Sequence, residues 1–192
     1  MRQYAGGASL IEVLVSIVIA SVGLLALAGV NAASMRYTKM SQYRATATQL
    51  ANDMGERMRA NKGASPPVAG DGFMGGAYNF NDSSVADFEN QATKATLPSE
   101  QCNTKVSNCT SAQIAALDLA QWRRLVREQL PEGSVFLASQ GTPPFAMDLW
   151  IAWRDPTVAN ADEAPTTNLE CPTGLSLNSD KSIRCSYFRI NL

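Results

Sequence analysis

The sequence predicts an α+β fold: one long N-terminal α-helix whose second half is packed by a small antiparallel β-sheet. Three observations carry this. An apolar run from Leu10 to Val30 has about the length that crosses a bilayer as a helix. Helical spacing then persists, with Met40, Tyr43, Ala47, Leu50, Met54 and Met58 recurring at intervals of three and four. After Gly133 the apolar period falls to two, as strands require.

The first helix is expected from about Ala8 to Ala60, roughly 80 Å at 1.5 Å per residue. Lys39, Arg44, Asp53, Glu56 and Arg57 fall off its apolar stripe, and Gly23, Gly29 and Gly55 permit bending. No proline interrupts it before Pro66-Pro67, where Gly63 and the two prolines end it. Gly63 to Gln101, rich in Gly, Asn, Asp, Ser and Pro, reads as a long surface loop. Ser111 offers an N-cap to a second helix, Ala112 to Leu130, with Ala115, Leu119, Trp122 and Val126 on one face. Pro131-Glu132-Gly133 stops it. Arg123, Arg124 and Arg127 read as a solvated edge near the helix C-terminus, where positive charge is favourable.

Ser134 to Ser139 is a short strand, and Gly141-Thr142-Pro143-Pro144 turns the chain. Phe145, Met147, Leu149, Ile151 and Trp153 then alternate with Ala146, Asp148, Trp150, Ala152 and Arg154, the clearest strand pattern in the chain. A loop punctuated by Pro156, Pro165 and Pro172 leads to a last strand, Ile183 to Asn191.

Composition narrows the chemistry. Of 192 residues 45% are hydrophobic and only 17% charged, where a soluble domain carries about 25% charged residues. That shortfall points away from a fully soluble protein. Sixteen basic against seventeen acidic residues leave a net charge of -1, so no basic surplus exists for a phosphate backbone and no nucleic-acid partner is expected. The absence of histidine removes imidazole bases, Ser-His and Cys-His pairs and most catalytic zinc sites. Asp71-Gly72 and Asp162-Glu163 are too sparse for a calcium loop. No catalytic residue, metal or cofactor is expected, and the chain reads as a non-enzyme.

Within Leu10 to Val30 the only charge is Glu12, and thirteen Leu, Ile and Val residues, at roughly -0.3 to -0.6 kcal/mol each, outweigh its cost of about +3 kcal/mol. The segment should insert. A cleaved secretory signal would use Ala26-Leu27-Ala28 but sets Glu12 inside its apolar core; a plain anchor leaves Glu12 without a task. Gly6-Gly7-Ala8-Ser9-Leu10-Ile11-Glu12 resembles the class III signal of type IV pilins and pseudopilins, in which a short polar leader ends in Gly and the fifth mature residue is Glu. The resemblance implies cleavage by prepilin peptidase between Gly7 and Ala8. It also gives Glu12 the role of pairing with the new Ala8 amine, in its own chain or in a neighbouring subunit. Ala8 departs from the Phe or Met that usually opens the mature chain and carries the methyl group in this family. With Arg36, Lys39 and Arg44 standing after the segment, the positive-inside rule does not set its orientation.

Cys102, Cys109, Cys171 and Cys185 allow three pairings. Their separations, without histidine, do not fit zinc. The local pairs Cys102–Cys109 and Cys171–Cys185 close the shortest loops, and disulfides persist in the periplasm or outside the cell. Cysteine thus supplies the orientation that charge does not.

The stretch Ala47 to Asn61, ATQLANDMGERMRAN, resembles the second half of the first helix in PilV-type minor pilins, the type IV pilus modification proteins. Trp122 in the second helix, the following Leu130-Pro131-Glu132-Gly133 and the terminal strands extend the likeness over most of the chain. The resemblance implies a leader at 1–7, a transmembrane and filament-core half-helix at 8–30 and a periplasmic, later extracellular, head at 31–192. It also implies assembly with other minor pilins, the major pilin and a tip adhesin, in support of twitching motility and attachment, after a stay in the inner membrane. A minor pseudopilin of type II secretion shares leader and architecture; a membrane-anchored periplasmic binding protein is the alternative from another class.

Overall fold

A computed structural model describes residues 9–62, 77–82, 86–99, 102, 109–140, 146–155, 170–177, 180 and 182–191. The elements follow as α1 (Leu10–Ala60), a 3-10 turn (Asn90–Ala92), α2 (Ser111–Gln129), β1 (Ser134–Gln140), β2 (Ala146–Arg154) and β3 (Ile183–Asn191). This is the α+β arrangement the periodicities predict. The chain divides into two compact units between Ser41 and Gln42, so α1 contributes to both.

In the unit from Gln42 onward the sheet is antiparallel in the order β1-β2-β3. Its inner face carries Val135, Leu137, Met147, Leu149, Ile151, Trp153 and Ile190 against the α1 stripe Ala47, Leu50, Met54 and Met58, with Trp122 and Val126 of α2 in the same core. The indole Nε1–H of Trp122 donates to the Leu50 carbonyl at 2.9 Å, tying α2 to α1 inside this core. β2 is buried on both faces. Phe88, Phe136, Ala152, Leu175, Ile183 and Cys185 form a second cluster on the outer face, which period-two alternation does not anticipate.

Several sequence expectations are corrected. The N-cap of α2 is Thr110, one residue before Ser111: its hydroxyl accepts from Gln113 N–H while the Gln113 side chain accepts from Thr110 N–H, a reciprocal capping box. α2 closes at Gln129 on a tight turn in which a Cβ at Gly133 would lie 2.4 Å from the Val126 carbonyl oxygen, so only glycine fits. The described parts of 63–101 are not a solvated loop. Tyr78, Ala86, Phe88 and Gln91 are buried, and this region closes the outer edge of β1. Phe80 exchanges both backbone hydrogen bonds with Leu137, and the Asn79 side-chain oxygen accepts from Ser139 N–H. The Gln91 amide accepts from Val135 N–H and donates to the Val135 carbonyl, as a neighbouring strand would. Arg123 is not a solvated edge residue either. Its guanidinium lies 3.8 Å over the Phe80 ring, and burial lowers its pKa.

A polar chain fastens the end of α1. Asn61 Nδ2 donates to the Tyr78 hydroxyl at 3.1 Å and to the Ser111 carbonyl at 2.8 Å; the Tyr78 hydroxyl donates to Asp118 at 2.9 Å; Arg57 bridges Asp53 and Asp118. This network ties the last turn of α1 to the start of α2 and to Tyr78.

Candidate functional site

The first unit is the start of α1. Ser9 opens it, its carbonyl accepting from Glu12 N–H at 2.9 Å and from Val13 N–H at 3.3 Å. Glu12 stands in the first turn, where a carboxylate meets the positive end of the helix dipole. It shares a shallow strip of surface with Val13, Ser16, Ile17 and Ala20. The hydroxyls within the apolar run do not wait for water: Ser16 donates to the Glu12 carbonyl at 2.7 Å and Ser21 to the Val18 carbonyl at 2.9 Å. That internal satisfaction is what a lipid environment demands of polar groups.

Every large apolar side chain from Leu10 to Val30 is exposed, from 47% at Val13 to 85% at Leu10. A surface of this kind needs lipid or other apolar helices around it. The helix is long and apolar enough to cross a membrane. Gly7 and Ala8 lie outside the described residues.

In the head, Cys102–Cys109 closes a loop just before the Thr110 cap, with Cα atoms 5.8 Å apart. Cys171–Cys185, Cα atoms 5.2 Å apart, ties the chain before β3 to β3 itself. Cys185 is a member of the outer-face cluster, so this bond anchors that cover on the sheet. Arg184 and Glu170 pair at 2.7 Å beside it. Nothing in local spacing marks Gln91 or Phe80 as partners of β1, since both act on residues more than forty positions away.

An exposed apolar half-helix at the N-terminus and an α+β head built on a second helix and a three-stranded antiparallel sheet define a pilin-like architecture. Residues 2–28 match the family model described as the prokaryotic N-terminal methylation motif. That motif is the site cut by prepilin peptidase, and it supports a type IV pilin-like or pseudopilin-like protein anchored in the inner membrane by its N-terminal helix. No curated protein and no solved structure matches the chain.

Proposed function

We propose that this chain is a PilV-type minor pilin of the type IV pilus. Its work is packing, with no chemical turnover: with other minor pilins, the major pilin and a tip adhesin it primes filament growth and stays at the tip, supporting twitching motility and attachment. The observation that carries the reading is the Ala47–Asn61 stretch, PilV-like in sequence, behind a prepilin methylation motif. The two disulfides suit a head that leaves the cytoplasm.

Deletion tests it. Surface pili should fall sharply while prepilin is still made, and blocking retraction should partly restore them, because slow initiation is then no longer outrun by disassembly. A secretion defect with normal piliation would instead select the minor pseudopilin, and stoichiometry equal to that of the main pilin would make the chain a repeating subunit. Intact mass of the membrane-extracted protein should place the mature N-terminus at Ala8; a start at Gly29 would establish conventional secretion.

Glu12→Ala should leave processing and insertion intact and lower the amount in sheared pili, because a neighbour's amine loses its counter-charge. Wild-type amounts would sink the pairing.

A further inference from the structure

β3 is an edge strand, bonded to β2 and, among the described residues, to no other strand. The Asp155 N–H donates to the Ser182 carbonyl at 2.8 Å, one register step before β3 begins. Bonded and non-bonded pairs alternate along an antiparallel ladder, so Cys185, Tyr187, Arg189 and Asn191 turn their backbone groups away from β2. Two of them meet a partner there: the Cys185 N–H donates to the Glu170 carboxylate at 3.3 Å, and the Asn191 carbonyl accepts from Arg59 at 3.5 Å. The N–H and C=O groups of Tyr187 and Arg189, between those two points, have no partner among the described residues. The opposite edge of the sheet is treated differently, with Val135, Leu137 and Ser139 each met by Gln91, Phe80 or Asn79. Open edges invite another strand.

A groove runs beside this open edge, between Ala51, Gly55 and Arg59 of α1 and Tyr187, Arg189 and Ile190 of β3. Gly55 packs against Ile190 at the floor of this groove, where an added Cβ would meet the Ile190 side chain at 3.5 Å. Two guanidiniums line the groove: Arg59, already paired with Glu56, and Arg189. Arg189 is 57% exposed and stands 3.9 Å from its acidic neighbour, Asp148. Self-pairing is disfavoured: Arg189 is the one charged side chain of the Tyr187–Arg189 stretch, and a second copy would bring that cation to its own kind with no acid in β3 to meet it.

We infer that the Tyr187–Arg189 edge of β3 and its groove on α1 receive an extended, Asp- or Glu-bearing strand of a different protein chain, which extends the sheet by β-augmentation. Backbone bonds at Tyr187 and Arg189 hold the strand, and the Arg189 guanidinium selects its charge. Among the described residues the edge is open, and strand addition there does not rest on the chain's entering a pilus.

The test places the photo-crosslinker benzoylphenylalanine at Tyr187 of the whole chain in cells, with exposed Ala116 on α2 as the control position. The expected adduct, absent from Ala116, joins one acidic segment of another protein, identified by mass spectrometry. Arg189→Pro removes one outward N–H at a position where an edge strand tolerates proline, and Arg189→Glu reverses the charge on an exposed side chain; because it sets a carboxylate across from Asp148, its fold is checked by formation of the Cys171–Cys185 bond. Each should cut the adduct about tenfold, the effect of losing roughly one good charge-assisted bond. Undiminished adduct in Arg189→Glu overturns the charge selection. Undiminished adduct in an Arg189→Pro chain that still forms the Cys171–Cys185 bond overturns strand addition, as does an adduct only with lipid, only with a second copy, or none at all.

Discussion

Trp122→Phe tests whether the two helices are joined as described. Trp122 is fully buried, and its Nε1–H reaches the Leu50 carbonyl 72 residues earlier in sequence. Phenylalanine keeps an aromatic ring in the site but cannot donate. The Leu50 carbonyl keeps its intrahelical partner, so no buried acceptor is orphaned, and the lost bond contributes about 1 kcal/mol. The part of the site that the smaller ring leaves empty adds roughly 1 kcal/mol more, because Leu50, Met54 and Val126 are held by their own helices and close only partly around it. The total, about 2 kcal/mol, is a large share of the margin of a small domain. Urea unfolding of the detergent-extracted chain, followed by the fluorescence of the remaining Trp150 and Trp153, measures it. Processing of the leader should be unchanged, since the peptidase reads the N-terminal segment. A stability change under about 0.5 kcal/mol with an unchanged urea dependence would refute the claim that this contact couples α2 to α1.

Burial, with the Asp118 carboxylate adding to it, raises the Tyr78 hydroxyl well above the ordinary phenol value of 10.0. The folded chain therefore keeps a proton that the unfolded chain releases, so stability is complete below pH 10 and falls above it by about 1.4 kcal/mol per pH unit; Tyr78→Phe should remove that slope in urea titrations at pH 9 and 11, and an identical slope in both chains would discount Tyr78. Gly174→Ala would set a Cβ 2.6 Å from Phe136 Cε2 and push that ring against Trp150, a cost of about 1–3 kcal/mol; near-ultraviolet circular dichroism reads the Trp150 environment, and an unaltered spectrum and melting point would contradict the packing. Joint Cys171→Ser and Cys185→Ser replacement should remove roughly 3 kcal/mol, the chain-entropy value for a loop of about fifteen residues, and a loss under about 1 kcal/mol would mean that Glu170–Arg184 and the outer cluster hold this segment unaided.

Local signals were readable where one element's own period decides burial. Leu50, Met54 and Met58 on α1, Trp122 and Val126 on α2, and Met147, Leu149, Ile151 and Trp153 on β2 all face the core their spacing implies. Reading Ser111 as the α2 cap sets it one residue late, although the Thr-x-x-Gln pattern that marks it starts at Thr110; Ser111 has Ile114 at the corresponding place and cannot form the box. What escaped were features decided by distant partners. Gln91 sits in a polar, proline-flanked stretch and becomes buried only because Val135 offers it both backbone groups. Arg123 has the spacing of a solvated charge and leaves water because Phe80 is brought under it. Trp150 lies on the strand face that alternation assigns to solvent, and it is partly covered because Phe136 and Tyr187 flank it across the sheet, at centroid distances of 5.7 and 4.9 Å. For the candidate site, the apolar run and Glu12 were legible because membrane insertion is a property of composition over one contiguous segment.

The scarcity of charge has a different source from the one composition suggests. Removing residues 1–30 takes away only Arg2 and Glu12, and the remaining 162 residues still hold only 31 charged side chains, below the share of about a quarter usual for soluble domains. The membrane half-helix therefore explains little of the deficit; the head is itself sparingly charged. Many of the charges it does carry are already engaged: Arg57 with Asp53 and Asp118, Arg59 with Glu56, Lys94 with Glu128, Arg154 with Glu132 and Asp180, Arg184 with Glu170. Exposed pairs of this kind add little to stability. Their effect is on the field outside the head, because opposite charges held a few ångströms apart cancel over a Debye length. Where such pairs cancel, recognition falls to charges left loosely paired and to backbone groups without a partner. Arg189 and the open edge beside it are where that backbone is found.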